Sequence, residues 1–411
     1  MLLALHATPR VMAHVLHLLT TSLMLATLVL HAGSFSAHLH HGKGGNAHSV
    51  GVSDVASFHT VTLSQKPARF LPRLPDRWRR WIDMDSVKPM QTQGGMSKVY
   101  AAVARLGDVN GTLEQVVIKE ISNTHRGLQS ELQISWDLGQ HAELPGYLLA
   151  AYDVYPRPSE KWITHPPQSG YIMFPHMDGP VLSLVERRKA LRDGLAMFPL
   201  VHPAGINISS PATHSQEVAM LAVYLGRALM ELKERGVVHL DIRSDQLLAR
   251  AHEHQALQSV ALTDFGTAAY VDEDGSTTKA AEVVSPVSFA PELLDHTSTR
   301  HVSAQADVFG MGTVLFKAWS DAHIRRQAVN GSFTTLKSKL ELDRHLSGCP
   351  RGQRQLILDA LSRDPDGRPS SSEFLRRAIE VLLPEAFANC TEPDLKQVQL
   401  SLERIRLPSK F

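Results

Sequence analysis

Apolar and polar positions change their spacing several times along this chain, and each change predicts an element. Val11–Ala32 is an apolar run interrupted only by His, Thr and Ser. His38–Leu63 is rich in Gly, Ser and His with little periodicity, the pattern of a flexible linker. Arg69–Trp81 mixes cations with aromatics, and Pro72 and Pro75 confine any helix there to the residues after Asp76. A Gly-Gly turn at 94–95 precedes the strand-like Val116–Lys119, with the polar stretch Gly107–Glu114 as a strand-to-strand loop. Apolar residues recur at helical spacing in Leu128–Leu138. Leu148–Tyr155 and Tyr171–Met177 read as two strands around a Pro-rich loop, and Asp193–Pro211 is loop-like in its Pro, Gly and Ser. From Glu217 to Arg235 the residues Met220, Val223, Tyr224, Ala228, Leu229 and Leu232 share one helical face, and Gly236 ends the helix. Short strands at Leu247–Ala249 and Val260–Thr263 and a helix over Gln353–Leu361 complete the pattern.

Composition narrows the class. With 411 residues, 43% hydrophobic content and a net charge of +1, the chain is globular and long enough for one two-lobed domain or two ordinary ones. Nothing global points to nucleic acid, and nothing sets an oligomeric state. Arg10, the apolar run and the small residues Gly33, Ser34, Ser36 and Ala37 follow the order of a secretory signal peptide. The run is also long enough to span a bilayer uncut, as a signal anchor. Four of the six asparagines (Asn110, Asn207, Asn330 and Asn389) lie in Asn-x-Ser/Thr sequons, which agrees with a secreted or exported life. The basic and aromatic stretch suits either an anionic membrane surface or the back of a folded lobe. Cys349 and Cys390 are too few for a disulfide framework and fit either one bridge or two buried thiols.

The richest chemistry lies in Val-Val-His239-Leu240-Asp241-Ile-Arg243-Ser-Asp-Gln246-Leu-Leu and, after a polar interval, Thr-Asp264-Phe265-Gly266. Phosphoryl transfer needs one carboxylate near the attacking hydroxyl and a second on the Mg²⁺ that clamps the nucleotide phosphates. Upstream, Val116-Val117-Ile118 leads into Lys119, the pattern of a buried strand pointing one cation inward; on an edge strand the lysine would lie at the surface. Glu131, on the predicted helix, suits that lysine better than Glu120, whose side chain faces the opposite side of the strand. In this order the segments resemble the phosphate-contacting lysine, regulatory helix, catalytic loop and metal loop of the eukaryotic protein kinase superfamily, Ser/Thr type.

The resemblance runs from about Met90 to Leu383. Thr92-Gln-Gly94-Gly95-Met-Ser97-Lys-Val99 resembles the Gly-rich phosphate loop with only its central glycine in register. Tyr171–Gly179 puts Phe174 behind the nucleotide pocket and makes Pro175, His176 and Met177 the hinge whose backbone would hold adenine. Val284–Glu292 resembles the end of the activation segment, with Ser285 bonded to the catalytic aspartate. Asp307–Gly312 resembles the buried helix that anchors the catalytic loop, and Arg368 resembles the ion-pair partner of Glu292.

These likenesses imply an α+β, bilobal fold with a small β-rich N-lobe over a larger helical C-lobe, ATP and Mg²⁺ in the cleft, and a protein substrate. They imply Asp241 as catalytic base, Arg243 as the cation beside the transferred phosphoryl group, Lys119 on the α- and β-phosphates with Glu131 as its clamp, and Asp264 and Gln246 on Mg²⁺. Thr92, Gly94, Gly95, Ser97, Val99, Lys119, Phe174, Pro175, His176 and Met177 would line the nucleotide site. The layout becomes 1–37 signal peptide or signal anchor, 38–85 linker and basic segment, 86–178 N-lobe, 179–390 C-lobe, and 391–411 tail.

Gln246 stands where the family has Asn. Leu240 replaces the Arg that receives an activation-loop phosphate, which leaves Ser276, Thr277 and Thr278 without a cationic receiver. Those departures, with Thr92 and Ser97 at the outer glycine positions, keep open a pseudokinase that binds nucleotide or a partner without efficient turnover. Leader, His-Leu-Asp and loop together are similar to exported kinases of apicomplexan parasites, such as the rhoptry and FIKK-type groups.

Overall fold

The computed structural model describes residues 74–90, 97–106, 112–122, 127–140, 147–181, 214–251, 257–277, 289–293, 302–320, 322, 325–327, 333–335, 339–388 and 396. Outside them lie the leader, the linker, Asp193–Pro211, the four sequon asparagines, Thr92, Gly94, Gly95, Thr278, Ser285, Cys390 and almost all of the tail. Thr60–Phe411 forms one compact unit, to which all the described residues belong.

The smaller lobe opens with helix α1 (Asp76–Trp81) and strands β1 (Ile82–Met90), β2 (Lys98–Leu106) and β3 (Thr112–Ser122). Helix α2 (Leu128–Gln140), β4 (Asp153–Tyr155) and β5 (Ser169–Pro175) follow. The five strands form one antiparallel sheet in the order β1-β2-β3-β5-β4. Period-two alternation gives β3 two faces. Val116 and Ile118 pack with Tyr100, Tyr171 and Met173 on one side, whereas Ile121 packs with Leu128 and Leu132 of α2 on the other.

The lobe begins earlier than the sequence suggests. β1 starts at Ile82, ahead of the Met90 start and the boundary at 86, and α1, in the basic and aromatic segment, packs with the lobe. A register shift between Asp83 and Lys88 buries both Ile82 and Val87, five residues apart, so the strand shows no alternation to read. Trp78 is fully buried against the sheet, which gives this part of the basic and aromatic stretch a packing role. The strand expected over Leu148–Tyr155 shrinks to β4; Leu148 makes an isolated parallel bridge to Leu262 instead.

The larger lobe starts after β6 (Gly179–Pro180) and is built on α3 (His214–Glu234). α3 ends at Gly236, whose φ of +60° favours a residue without a Cβ. β7 (Val237–Val238), β8 (Leu247–Ala251), β9 (Leu257–Leu262) and β10 (Ala269–Tyr270) follow, pairing as β6-β8-β9 and β10-β7. Two further short strands, β11 (Ser276–Thr277) and β12 (Val302–Ser303), pair antiparallel. Helix α4 (Gln305–Ser320) runs through the core beside α3. A Cβ on its Gly310 would lie 2.8 Å from the Ile242 Cβ, so glycine lets the helix approach the loop between β7 and β8. Cys349 is a free thiol whose pKa burial pushes up to about 12, which makes it inert at neutral pH.

Candidate active site

Four elements bring their polar side chains to one place. Lys119, on β3, pairs with Glu131 of α2 at 2.5 Å and with Asp264, just after β9, at 2.7 Å. Burial would lower the Lys119 pKa, but Glu131 and Asp264 outweigh it and hold the ammonium above its usual range. Burial also acts on Asp264, yet the adjacent Lys119 lowers its pKa to about 2. Glu120 faces away and accepts the Tyr100 hydroxyl at 3.1 Å.

Asp241 lies in the loop between β7 and β8. Burial raises its pKa to about 7, with Arg243 opposing the rise and Asp264 adding to it. Arg243 stands 3.8 Å from Asp241 and pairs more closely with Asp245 at 3.0 Å. The Gln246 amide nitrogen lies 3.3 Å from Asp241 and 3.4 Å from Asp264, and so joins the two carboxylates.

This loop is tied down by its neighbours. The Asp307 carboxylate, in the first turn of α4, accepts the backbone N–H groups of His239 and Leu240, both at 2.8 Å. The His239 ring donates to the Thr263 carbonyl at 3.0 Å, and burial lowers its pKa to about 4, so it is neutral. The Thr267 hydroxyl donates to the His239 carbonyl at 2.9 Å. These bonds hold Leu240 and Asp264 at φ values of 67° and 69°, a left-handed conformation that costs a non-glycine residue about 1–3 kcal/mol.

Two atoms test the fit of a cation and its nucleotide. Asp241 Oδ1 and Gln246 Oε1 are buried and have no hydrogen-bond partner, an arrangement that costs about 1–3 kcal/mol per atom unless something else satisfies them. Both are oxygens beside the Asp264 carboxylate, and hard divalent cations take oxygen ligands. The donor set fits Mg²⁺.

The family model "Protein kinase domain" matches residues 92–378. The chain belongs to the protein kinase family. It is similar over 164 residues, at 28% identity, to the "Wee1-like protein kinase" of Oryza sativa subsp. japonica, covering 40% of this chain and 28% of that one. Over 155 residues it is 28% identical to the "Serine/threonine-protein kinase ULK3" of Xenopus laevis, 36% of this chain and 31% of the relative. The "Serine/threonine-protein kinase ppk34" of Schizosaccharomyces pombe is 26% identical over 144 residues, 34% and 38% of the two chains. The chain thus spans less than half the length of each of these relatives.

Within this kinase fold the expected nucleotide residues fall into two groups. Val99 pairs directly with Lys119 across β2 and β3, and Ser97 lies just ahead of β2. Phe174 and Met177 are buried in the cluster that also holds Ile121, Leu132 and Ala261. Pro175 ends β5, and the His176 N–H is occupied by the Gln115 carbonyl at 3.1 Å. The His176 ring is lowered in pKa by burial, with Asp178 pulling the other way. Ser276 and Thr277, expected as modification sites, are buried in β11.

Sequence reasoning missed the link between α2 and β10. The exposed Tyr270 donates its hydroxyl to Asp137 in a short hydrogen bond, and Gln133 supports that carboxylate at 3.1 Å. Nothing in the spacing of residues 137 and 270 could have announced it.

Proposed function

We propose that this chain is a protein Ser/Thr kinase that transfers the γ-phosphate of ATP to a protein hydroxyl. The observation that carries the reading is the convergence of Lys119, Glu131, Asp264, Gln246 and Asp241 in one hydrogen-bonded cluster between the β-rich and helical lobes. Supporting it are the Ser/Thr kinase names among the relatives and the neutral-range pKa of Asp241. Phe174 and Met177 would bound the adenine end; with Pro175 lacking an N–H and that of His176 engaged, the hinge donor falls to Met177.

Asp264 and the Gln246 amide oxygen would hold Mg²⁺, which supplies charge neutralisation on the phosphates. Lys119, kept cationic by Glu131, orients the α- and β-phosphates. Asp241 accepts the substrate hydroxyl proton as its oxygen bonds to the γ-phosphorus. The bond from that phosphorus to the β–γ bridging oxygen breaks, and ADP leaves. Arg243 stabilises the charge spread over the phosphoryl oxygens.

Labelled-ATP transfer by purified protein tests the reading, with Asp241→Asn expected to lower the rate by about 10²–10⁴-fold. Equal background from both proteins, each still binding ATP, would sink it. The second reading, a pseudokinase, is favoured by the Gln246 amide nitrogen lying on both carboxylates where a metal is needed. Under that reading Gln246→Asn gives a large gain in transfer.

The N-terminal pattern of charge, apolar run and small residues, with the four sequons, supports placing the protein in the secretory pathway, as a secreted or anchored product. An enzyme that removes N-glycans should shift its electrophoretic mobility after expression in eukaryotic cells. An unshifted band from material that has not entered membranes would remove this placement.

A further inference from the structure

Residues 74–90 precede the segment matched by the family model, yet they bury a whole tryptophan in the small lobe. The Trp78 indole N–H donates to Asp153 Oδ2 at 2.7 Å. The adjacent Arg77 guanidinium pairs with the same oxygen at 2.7 Å and donates to the Val154 carbonyl at 3.2 Å. The side chain of Asp153 is only 3% exposed, and its second oxygen accepts the Val154 N–H at 2.9 Å and faces Arg157 at 3.4 Å. Arg157 then lays its guanidinium over the Trp136 ring, 4.7 Å from the centroid. Trp136 belongs to α2, on which Glu131 meets Lys119.

Each link constrains the next. A buried carboxylate needs its N–H and cationic partners, and α1 supplies two of those on Asp153, so α1 and Asp153 hold each other in place. Asp153 also orients Arg157, whose stacked position bears on the middle of α2. α2 has little slack on its inner side, because a Cβ on Gly170 of β5 would come within 2.7 Å of Leu132. Movement of α2 toward the sheet is therefore blocked, and Arg157 bears on the helix through Trp136.

We propose that Asp76–Trp81 is an intramolecular positioning device, acting through Asp153, Arg157 and Trp136 to keep α2 where Glu131 engages Lys119. The functional part of this inference rests on the kinase reading of that cluster. The positional part does not.

Two measurements on the full chain separate them. Amide hydrogen exchange without nucleotide reads the seating of α2, and titration with a fluorescent ATP analogue reads its consequence. Trp78→Phe keeps an aromatic ring and deletes the N–H; Arg157→Gln deletes the cation. Each is expected to speed exchange across residues 131–140 and to weaken analogue binding about 2- to 5-fold, the scale of a half-exposed cation–π contact. Exchange in α4 should stay unchanged. The double variant Trp78→Phe with Arg157→Gln should cost less than the sum of the single changes, since both lie on one path. Unchanged exchange at 131–140 in both single variants, or strictly additive effects in the double variant, overturns the proposal. Should the analogue fail to bind even the unaltered protein, the kinase reading falls, while exchange at 131–140 still decides whether α1 holds α2.

Discussion

The two lobes each centre on a cation paired with carboxylate, and the pairs are built for opposite purposes. In the large lobe Arg368 has a fully buried side chain, and it grips both oxygens of Glu292 at 2.6 and 2.8 Å. It also donates to the carbonyls of Ser362 and Gln305 and lies over the Phe309 ring. A planar, five-donor cation suits such a fixed, many-sided site. The Lys119 side chain is 15% exposed, that of its partner Asp264 is 40% exposed, and its point charge is shared between two carboxylates. A lysine pair open to the cleft can be remade around an arriving ligand. The arginine pair cannot.

The contrast breaks most visibly at its rigid member. Arg368→Ala should lower stability by about 3–5 kcal/mol, because Glu292 is left buried and uncompensated. A denaturant midpoint measures this, and the fraction that folds should keep its nucleotide affinity. Lys119→Met should also cost stability, because it strips the cation from the buried Glu131, but unlike Arg368→Ala it should remove most of the response to ligand as well. At a nucleotide concentration 100 times Kd, ligand raises stability by about 2.7 kcal/mol, and this variant should lose most of that increment while Arg368→Ala keeps it.

A subtler test concerns the carboxylate beside the lysine cluster. Asp241 titrates at about 7 in the folded chain and near 4 when unfolded, so the folded state holds a proton that the unfolded state releases between those values. Its contribution is complete below about pH 4 and fades as pH rises through 7. Asp241→Asn should therefore melt like the unaltered protein at pH 4 and be more stable at pH 8, by about 1–3 kcal/mol, despite losing transfer. In the same window transfer by the unaltered protein should climb with pH and level off above 7, as the base loses its proton. The smallest expected effect is at Tyr270→Phe. It removes one hydrogen bond to Asp137 on α2 and should weaken nucleotide binding by no more than about threefold.

Much of the cluster was legible because each member sits in a short run of fixed spacing. Lys119 follows a β-branched run within its strand, Glu131 lies on a helix of regular apolar period, and Asp241 and Asp264 flank two strands. Such runs encode local conformation, and family resemblance supplied their order. What stayed hidden depends on contacts between distant residues. β1 was masked by its bulge, and the choice between membrane surface and lobe for the stretch around Trp78 stayed open because its burial comes from Tyr171 and Asp153, far along the chain. The polarity of Asp153 likewise gave no hint that three side chains would converge on it.

Leu240 carries one consequence for how such an enzyme would be governed. It is buried in the large core, at the position where the family resemblance implies an arginine, and among the described residues the hydroxyl-bearing Ser276 and Thr277 are packed away. Under the kinase reading, a phosphate placed on the activation segment would find an apolar side chain at position 240 and no cation there to pull on.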